Sequence, residues 1–203
     1  MLLWRLSPNA ITWASLASGL LGGLFFATGA YGWGVAGGVS LVLAYTLDNC
    51  DGEVARLTNT SSAFGAKLDD IADWLIDSFF FLALGYGTWR AQGDVIWFAF
   101  GLAAAAGASI DYLVDLYKYR QQTRDVEEAG RIRDEQARNP KQAEGIVDWV
   151  IYIFHKLSRA DFCVIVLALA VFDVTWVLLP LAAIGAQAYW IADLFARVRG
   201  WHT

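Results

Sequence analysis

A chain of 203 residues with 57% hydrophobic content, ten tryptophans and only three prolines is too apolar for an ordinary soluble domain and reads as an integral membrane protein. Its formal net charge of −5 arises largely from one acidic motif and one charged loop, which gives no reason to expect a nucleic-acid partner. Two cysteines, Cys50 and Cys163, make no disulfide framework and suit reduced thiols on the cytoplasmic side.

In chain order, apolar stretches long enough to cross about 30 Å of hydrocarbon run over roughly 9–29, 31–50, 71–89, 95–117, 146–171 and 174–196. The predicted fold class is therefore an all-α integral membrane protein, a single domain over 1–203 with six transmembrane helices. The first stretch lacks the short apolar core and small-residue cleavage site of a secretory signal and is expected as a retained span. Ahead of it, Ser7-Pro8-Asn9-Ala10-Ile11-Thr12 has the form of a proline-led helix start with a polar cap. Gly19/Gly23 and Gly34/Gly38 are small-x3-small pairs, suited either to packing inside the bundle or to a dimer interface. The segment 119–145 is polar, and its Glu127/Arg131 and Asp134/Arg138 pairs at i,i+4 predict a cytoplasmic surface helix, read as a solvated linker or as a lid. With six spans, Arg5, Arg56, Lys67, the basic residues of 118–141, Lys156, Arg159, Arg197 and Arg199 share one side, whereas Arg90 lies on the other. Both termini are then cytoplasmic.

The chemistry concentrates between the second and third spans, where Asp48 to Asp73 reads DNCDGEVARLTNTSSAFGAKLDDIAD. A charged carboxylate at the bilayer centre costs roughly 2.5–3.5 kcal/mol even on lenient scales, so acids on membrane helices mark polar, functional cavities. Asp48 and Asp51 are three apart, Asp69 and Asp73 four apart, so each pair shares a helix face. If the faces meet, carboxylates about 5 Å apart repel by about 3 kcal/mol per pair at an effective dielectric near 20. Bound cations relieve this, and an all-oxygen set suits Mg²⁺, Mn²⁺ or Ca²⁺. Gly52 clears space for an anionic ligand, Arg56 offers it a fork of donors, and Gly65 clears space before the second acid pair. Each glycine taken alone is equally a packing contact.

As a pattern the motif is D-x2-D-G-x2-A-R-x8-G-x3-D-x3-D, filled by Asp48, Asp51, Gly52, Ala55, Arg56, Gly65, Asp69 and Asp73. It resembles, at every fixed position, the signature of the CDP-alcohol phosphotransferase (phosphatidyltransferase) family. That resemblance implies attack by an acceptor alcohol on the β-phosphorus of a CDP-alcohol, most often CDP-diacylglycerol, with release of CMP, in an inner or plasma membrane and with the active site facing the cytoplasm. It implies two Mg²⁺ or Mn²⁺ ions held by Asp48, Asp51, Asp69 and Asp73, with Asp73 also the general base. Asn9, Thr12, Gly52, Ala55, Arg56, Ser62 and Gly65 would contact the CDP moiety, and a homodimer is the family's usual state. For Asn9, Thr12 and Ser62 a helix-capping role is the competing reading.

Other polar residues are ambiguous. Asp70 points about 100° away from Asp69, toward solvent or headgroups. Asp77 could orient Asp73 or line its pocket; Asp111 and Asp115 could bind acceptor hydroxyls or pair with a base. Lys156 and Arg159 suit a phosphorylated acceptor or simply snorkel. Two rival functions also fit parts of the motif. Asp69-Asp70-Ile71-Ala72-Asp73 satisfies the DDxxD pattern of metal-dependent prenyltransferases, and intramembrane acids also mark divalent-cation transporters. The first leaves Gly52, Ala55 and Arg56 unexplained. The second lacks acids continuing to the far side.

Overall fold

The protein is described by a computed structural model over residues 7–129 and 160–187. Among these residues it is all-α, without a strand. Helix α1 spans Pro8–Ala27, α2 Tyr31–Leu57, α3 Ala63–Gln92, α4 Ile96–Ala129 and α5 Ala160–Val171; a 3-10 turn at Thr175–Val177 then leads into α6, 178–187.

The ends of these helices follow from local chemistry. Ser7 is extended and its Oγ accepts from Ala10 N, with Pro8 in the first turn where no N–H is needed. Ser62 likewise caps α3 by accepting from Gly65 N at 3.0 Å. Gly93, at φ 80, closes α3 in the left-handed conformation that a Cβ disfavours. Asp94 Oδ1 accepts from Ile96 N at 2.9 Å and so starts α4.

Helix α1 packs against both α2 and α3, α4 against α3, and α5 against α2. The shared core comprises Phe26, Leu41, Phe80, Leu84, Val166, Ala170 and Leu179, with Phe80 set edge-on to Phe26 at 5.2 Å and to Phe162 at 5.8 Å. Glycines set how closely the helices approach. A Cβ at Gly19 would stand 2.5 Å from Ile76, and one at Gly23 would stand 2.6 Å from the Phe79 ring. One at Gly38 would meet the Leu167 backbone at 2.9 Å, while Gly34 lies near Phe26. Gly19, Gly23 and Gly38 thus serve packing inside the subunit, whereas Gly34 makes only an ordinary contact. Between α3 and α4, a Cβ at Gly101 would stand 2.5 Å from Phe81 O, and one at Gly85 2.9 Å from Gly101 Cα.

Polarity is inverted relative to a soluble domain. Trp13, Leu24, Val39, Leu43, Leu102 and Leu113 face outward, each more than half exposed, while Thr12, Ser15, Ser40, Asp51, Ser78 and Thr88 are buried. That arrangement fits a hydrocarbon surround. Helix α1 and the Ile96–Tyr117 part of α4 are each long and apolar enough to cross a membrane by length and composition.

Three expected boundaries change. The second stretch, expected to end at 50, continues as helix to Leu57, and the third begins at Ala63 instead of 71. Helix α4 runs on to Ala129, through the start of the polar segment expected at 119–145. The expected break between the last two stretches is observed at 172–174. Residues 130–159 and 188–203 lie outside the described residues, and with them Lys156, Arg159, the Glu127/Arg131 and Asp134/Arg138 pairs as pairs, and most of the expected surface helix.

Candidate metal and nucleotide site

Because helix persists through the acids on both sides of a short turn, α2 and α3, each packed against α1, bring their carboxylates together. Asp48 and Asp51 lie on the last turns of α2, and Asp69 on the second turn of α3. One carboxylate oxygen from each lies within 4.8 Å of the other two. Three acids from two helices at this separation form the hard, all-oxygen donor set that a divalent cation neutralises. Asp51 is only 5% exposed, and a buried carboxylate requires compensation. Part of it comes from Thr12 on α1, whose hydroxyl donates to Asp51 Oδ2. Thr12 is thus tied to the acid site, and the cap of α1 is Ser7.

Asp73 is one turn further along α3, outside that trio but on the wall of an adjoining cavity of about 200 Å³. Asp48 and Asp77 line the same cavity, with Ser15, Tyr45 and Phe162 among its other walls. The sequence offered Asp77 only as an alternative, and it missed Ser15, Tyr45 and Phe162, since no spacing links residues on four helices. Asp70 is exposed, as its angular offset predicted, and takes no part in the trio. A DDxxD site would need it beside Asp69.

The neighbouring helix α4 fixes α3 at this level. Trp74, next to Asp73, donates from Nε1 to Ser109 Oγ at 3.1 Å, and its ring stacks on Tyr112 at 5.2 Å. Asp111 and Asp115 lie on the same stretch of α4 but do not line the cavity. The serines of α1 bind α2 in the same way: Ser15 Oγ donates to Ala44 O at 2.8 Å, and Ser40 Oγ donates to Ser18 O at 2.8 Å.

On the ligand-facing side, a Cβ at Gly52 would meet nothing nearer than Arg56 Nη1 at 3.6 Å. Packing within the protein does not demand glycine there. By contrast, a Cβ at Gly65 would stand 3.2 Å from Ser62 Oγ and 3.3 Å from Asn9 Oδ1, so Gly65 lets the starts of α1 and α3 approach. Arg56 is exposed and bound by Glu53, whose Oε2 accepts from Nη2 at 2.7 Å and from Nε at 3.3 Å. Glu53 escaped the sequence reading, although its i,i+3 spacing to Arg56 is the signal for such a pair. Ala55 is half-buried on the same turn.

Comparison with known proteins agrees with this arrangement. The sequence profile of the CDP-alcohol phosphatidyltransferase family matches residues 5–188. A CDP-diacylglycerol-serine O-phosphatidyltransferase of Helicobacter pylori strain 26695 is 30% identical over 112 residues, 52% of this chain and 46% of that protein. The protein of the same name from strain J99 is 41% identical over 68 residues, 34% of this chain and 27% of the relative. A bifunctional IPC transferase and DIPP synthase of Aquifex aeolicus is 38% identical over 80 residues, covering 39% of this chain and 18% of that protein. The matched region thus spans less than half of each of these relatives. A family profile matched across nearly the whole chain, over two helices whose acids converge, leaves one conclusion: the chain belongs to the CDP-alcohol phosphatidyltransferase family.

Proposed function

We propose that the chain is a divalent-metal-dependent transferase that moves a phosphatidyl or other phospho-alcohol group from a CDP-alcohol to an acceptor alcohol, releasing CMP, in phospholipid biosynthesis. The convergence of Asp48, Asp51 and Asp69 carries this reading, since it builds a cation site where a membrane helix pair would otherwise be strongly repelled. CDP-diacylglycerol is the favoured donor and serine the first acceptor to test, because two matched relatives are named for them.

Two Mg²⁺ or Mn²⁺ ions held by Asp48, Asp51, Asp69 and Asp73 would supply neutralising charge to the diphosphate and to the departing CMP. The protein's own part is positional and acid–base. Asp73, on the cavity wall, accepts the proton of the acceptor hydroxyl; the acceptor oxygen bonds to the β-phosphorus as the bond from that phosphorus to the oxygen bridging to CMP breaks. Thr12 holds Asp51 in place beneath the trio. Gly52 leaves room for the nucleotide, and Arg56 swings from Glu53 to the diphosphate, a small sacrifice because an exposed pair is worth about 0–1 kcal/mol. Asn9, Ser62, Ala55 and Gly65 form the remaining edge of the nucleotide site. The basic-residue distribution supports a cytoplasmic site and cytoplasmic termini, in an inner or plasma membrane. A homodimer belongs to this reading on family resemblance alone.

The deciding assay is CMP release from CDP-diacylglycerol by the purified protein with Mg²⁺ or Mn²⁺. Release should depend on both the metal and an added acceptor. No release with any of serine, inositol, inositol phosphate, glycerol 3-phosphate or choline overturns the proposal.

A further inference from the structure

At the opposite end of the bundle lies a second cavity, about 220 Å³, lined by Gly29, Ala30, Tyr31, Thr88, Gln92 and Asp173 among others. Along α2, Gly34 on its wall is fourteen residues from Asp48, or about 21 Å at 1.5 Å per residue. It is therefore separate from the acid trio, and a ligand bound there is independent of the proposed transferase activity.

The cavity has two poles. One is the start of α2, where Ala30 occupies the cap position with no side-chain cap bond and the first turn holds no acid. The start of a 27-residue helix, at Ala30 and Tyr31, thus lines the cavity and brings the positive end of its dipole to it. The other pole is the Asp173 carboxylate, just past the end of α5, with Gln92 at the carboxyl end of α3 on the same lining. Between them sits Thr88, 8% exposed, whose hydroxyl forms no hydrogen bond among the described residues. A hydroxyl left unpartnered by the protein on a cavity wall is available to a ligand that completes its bonding. Two exposed aromatics, Tyr31 and Trp176, are on its lining, as suits a membrane interface.

We propose that this cavity seats the headgroup of a zwitterionic bilayer phospholipid, its phosphate on the start of α2 and its ammonium against Asp173, with Thr88 bonding the phosphate. A purely anionic headgroup would meet Asp173, and a bare metal ion would meet the positive end of α2. Only a ligand carrying both charges satisfies both poles.

The test uses full-length protein carrying Asp48→Asn and Asp69→Asn, so that the acid trio binds neither metal nor headgroup. It is reconstituted in nanodiscs of phosphatidylethanolamine or of phosphatidylglycerol, and its unfolding midpoint is measured in each. The midpoint should be higher in phosphatidylethanolamine, and soluble phosphoethanolamine should restore part of the difference in phosphatidylglycerol. Asp173→Asn should abolish the preference, and Thr88→Val should reduce it. Asp173→Gly serves as a second variant that keeps the backbone, because residue 173 has φ 58, which glycine adopts freely. Equal midpoints in the two lipids overturn the proposal, as does a preference that survives both Asp173 variants. Ca²⁺ reproducing the stabilisation in phosphatidylglycerol, with the same dependence on Asp173, would assign the cavity to a metal ion and overturn it equally.

Discussion

Asp51 shows how one buried charge organises its surroundings. At 5% exposure its carboxylate is held by the Thr12 hydroxyl while two further carboxylates crowd it, so removing the hydroxyl should leave it poorly compensated. Thr12→Val should lower stability by about 1–3 kcal/mol without added metal. Thermal unfolding with EDTA and with Mn²⁺ checks this: the deficit should shrink when Mn²⁺ is present, and an equal deficit in both would mean that Thr12 only packs. Asp73 has a different role, since it lines the open cavity beside Asp48 and Asp77. Asp73→Asn keeps the shape of the side chain but removes its capacity to take a proton. CMP release should fall by about 10²- to 10⁴-fold with an unchanged unfolding midpoint. Activity within a few-fold of the parent would move the general-base role elsewhere.

Among elements, two kinds of glycine make opposite predictions. At Gly85 a Cβ would press on Gly101 Cα and Trp97 O, both at 2.9 Å, and backbone cannot give way as a side chain can. Gly85→Val should cost about 1–3 kcal/mol by forcing α3 and α4 apart. At Gly52 nothing in the protein opposes a methyl group, so Gly52→Ala should leave the unfolding midpoint unchanged and raise the KM for the CDP-linked donor. Comparing midpoint and KM across the pair separates packing from ligand clearance; a stability loss at Gly52 would contradict its assignment.

The same contrast explains what could be read from the chain before its structure. Helical periodicity put Asp48 with Asp51, and Asp69 with Asp73, on one helix face each, but that Asp48, Asp51 and Asp69 converge while Asp73 lies outside the trio is a property of the fold. Gly19, Gly23, Gly34 and Gly38 were legible as close contacts, but a small-x3-small pair does not name its partner, and only the folded chain shows Ile76, Phe79 and Leu167 against three of them. Helix limits were misplaced where hydropathy and helicity part company. Residues 51–57 and 63–70 are polar yet helical, because α2 and α3 need no apolar side chains on turns that surround a polar site. The Thr12–Asp51 bond and the walls at Ser15, Tyr45 and Phe162 join residues distant in sequence, which no local pattern encodes.

At the scale of the whole molecule, the inverted polarity and the length of α4 set how the bundle sits in a bilayer. Helix α4 has 34 residues, about 51 Å at 1.5 Å per residue, against a hydrocarbon core of about 30 Å. Its apolar part, Ile96–Tyr117, suffices to cross by length and composition, and in the proposed topology the turns beyond Tyr117 project into water or headgroups. They begin with Lys118 and Arg120, and positive residues stay cytoplasmic. The α3–α4 turn at Gly93 and Asp94, at the other end of that helix, must then face the opposite side. With Cys50 and Cys163 replaced by alanine, a single cysteine at Gln122 should react with an impermeant maleimide only after the cells are opened, whereas one at Asp94 should react in intact cells. The reverse pattern would place Asp48, Asp51 and Asp69 on the outer face, away from nucleotide, and with them would go the CDP-dependent reaction. Labelling of both positions in intact cells would mean that α4 does not span at all.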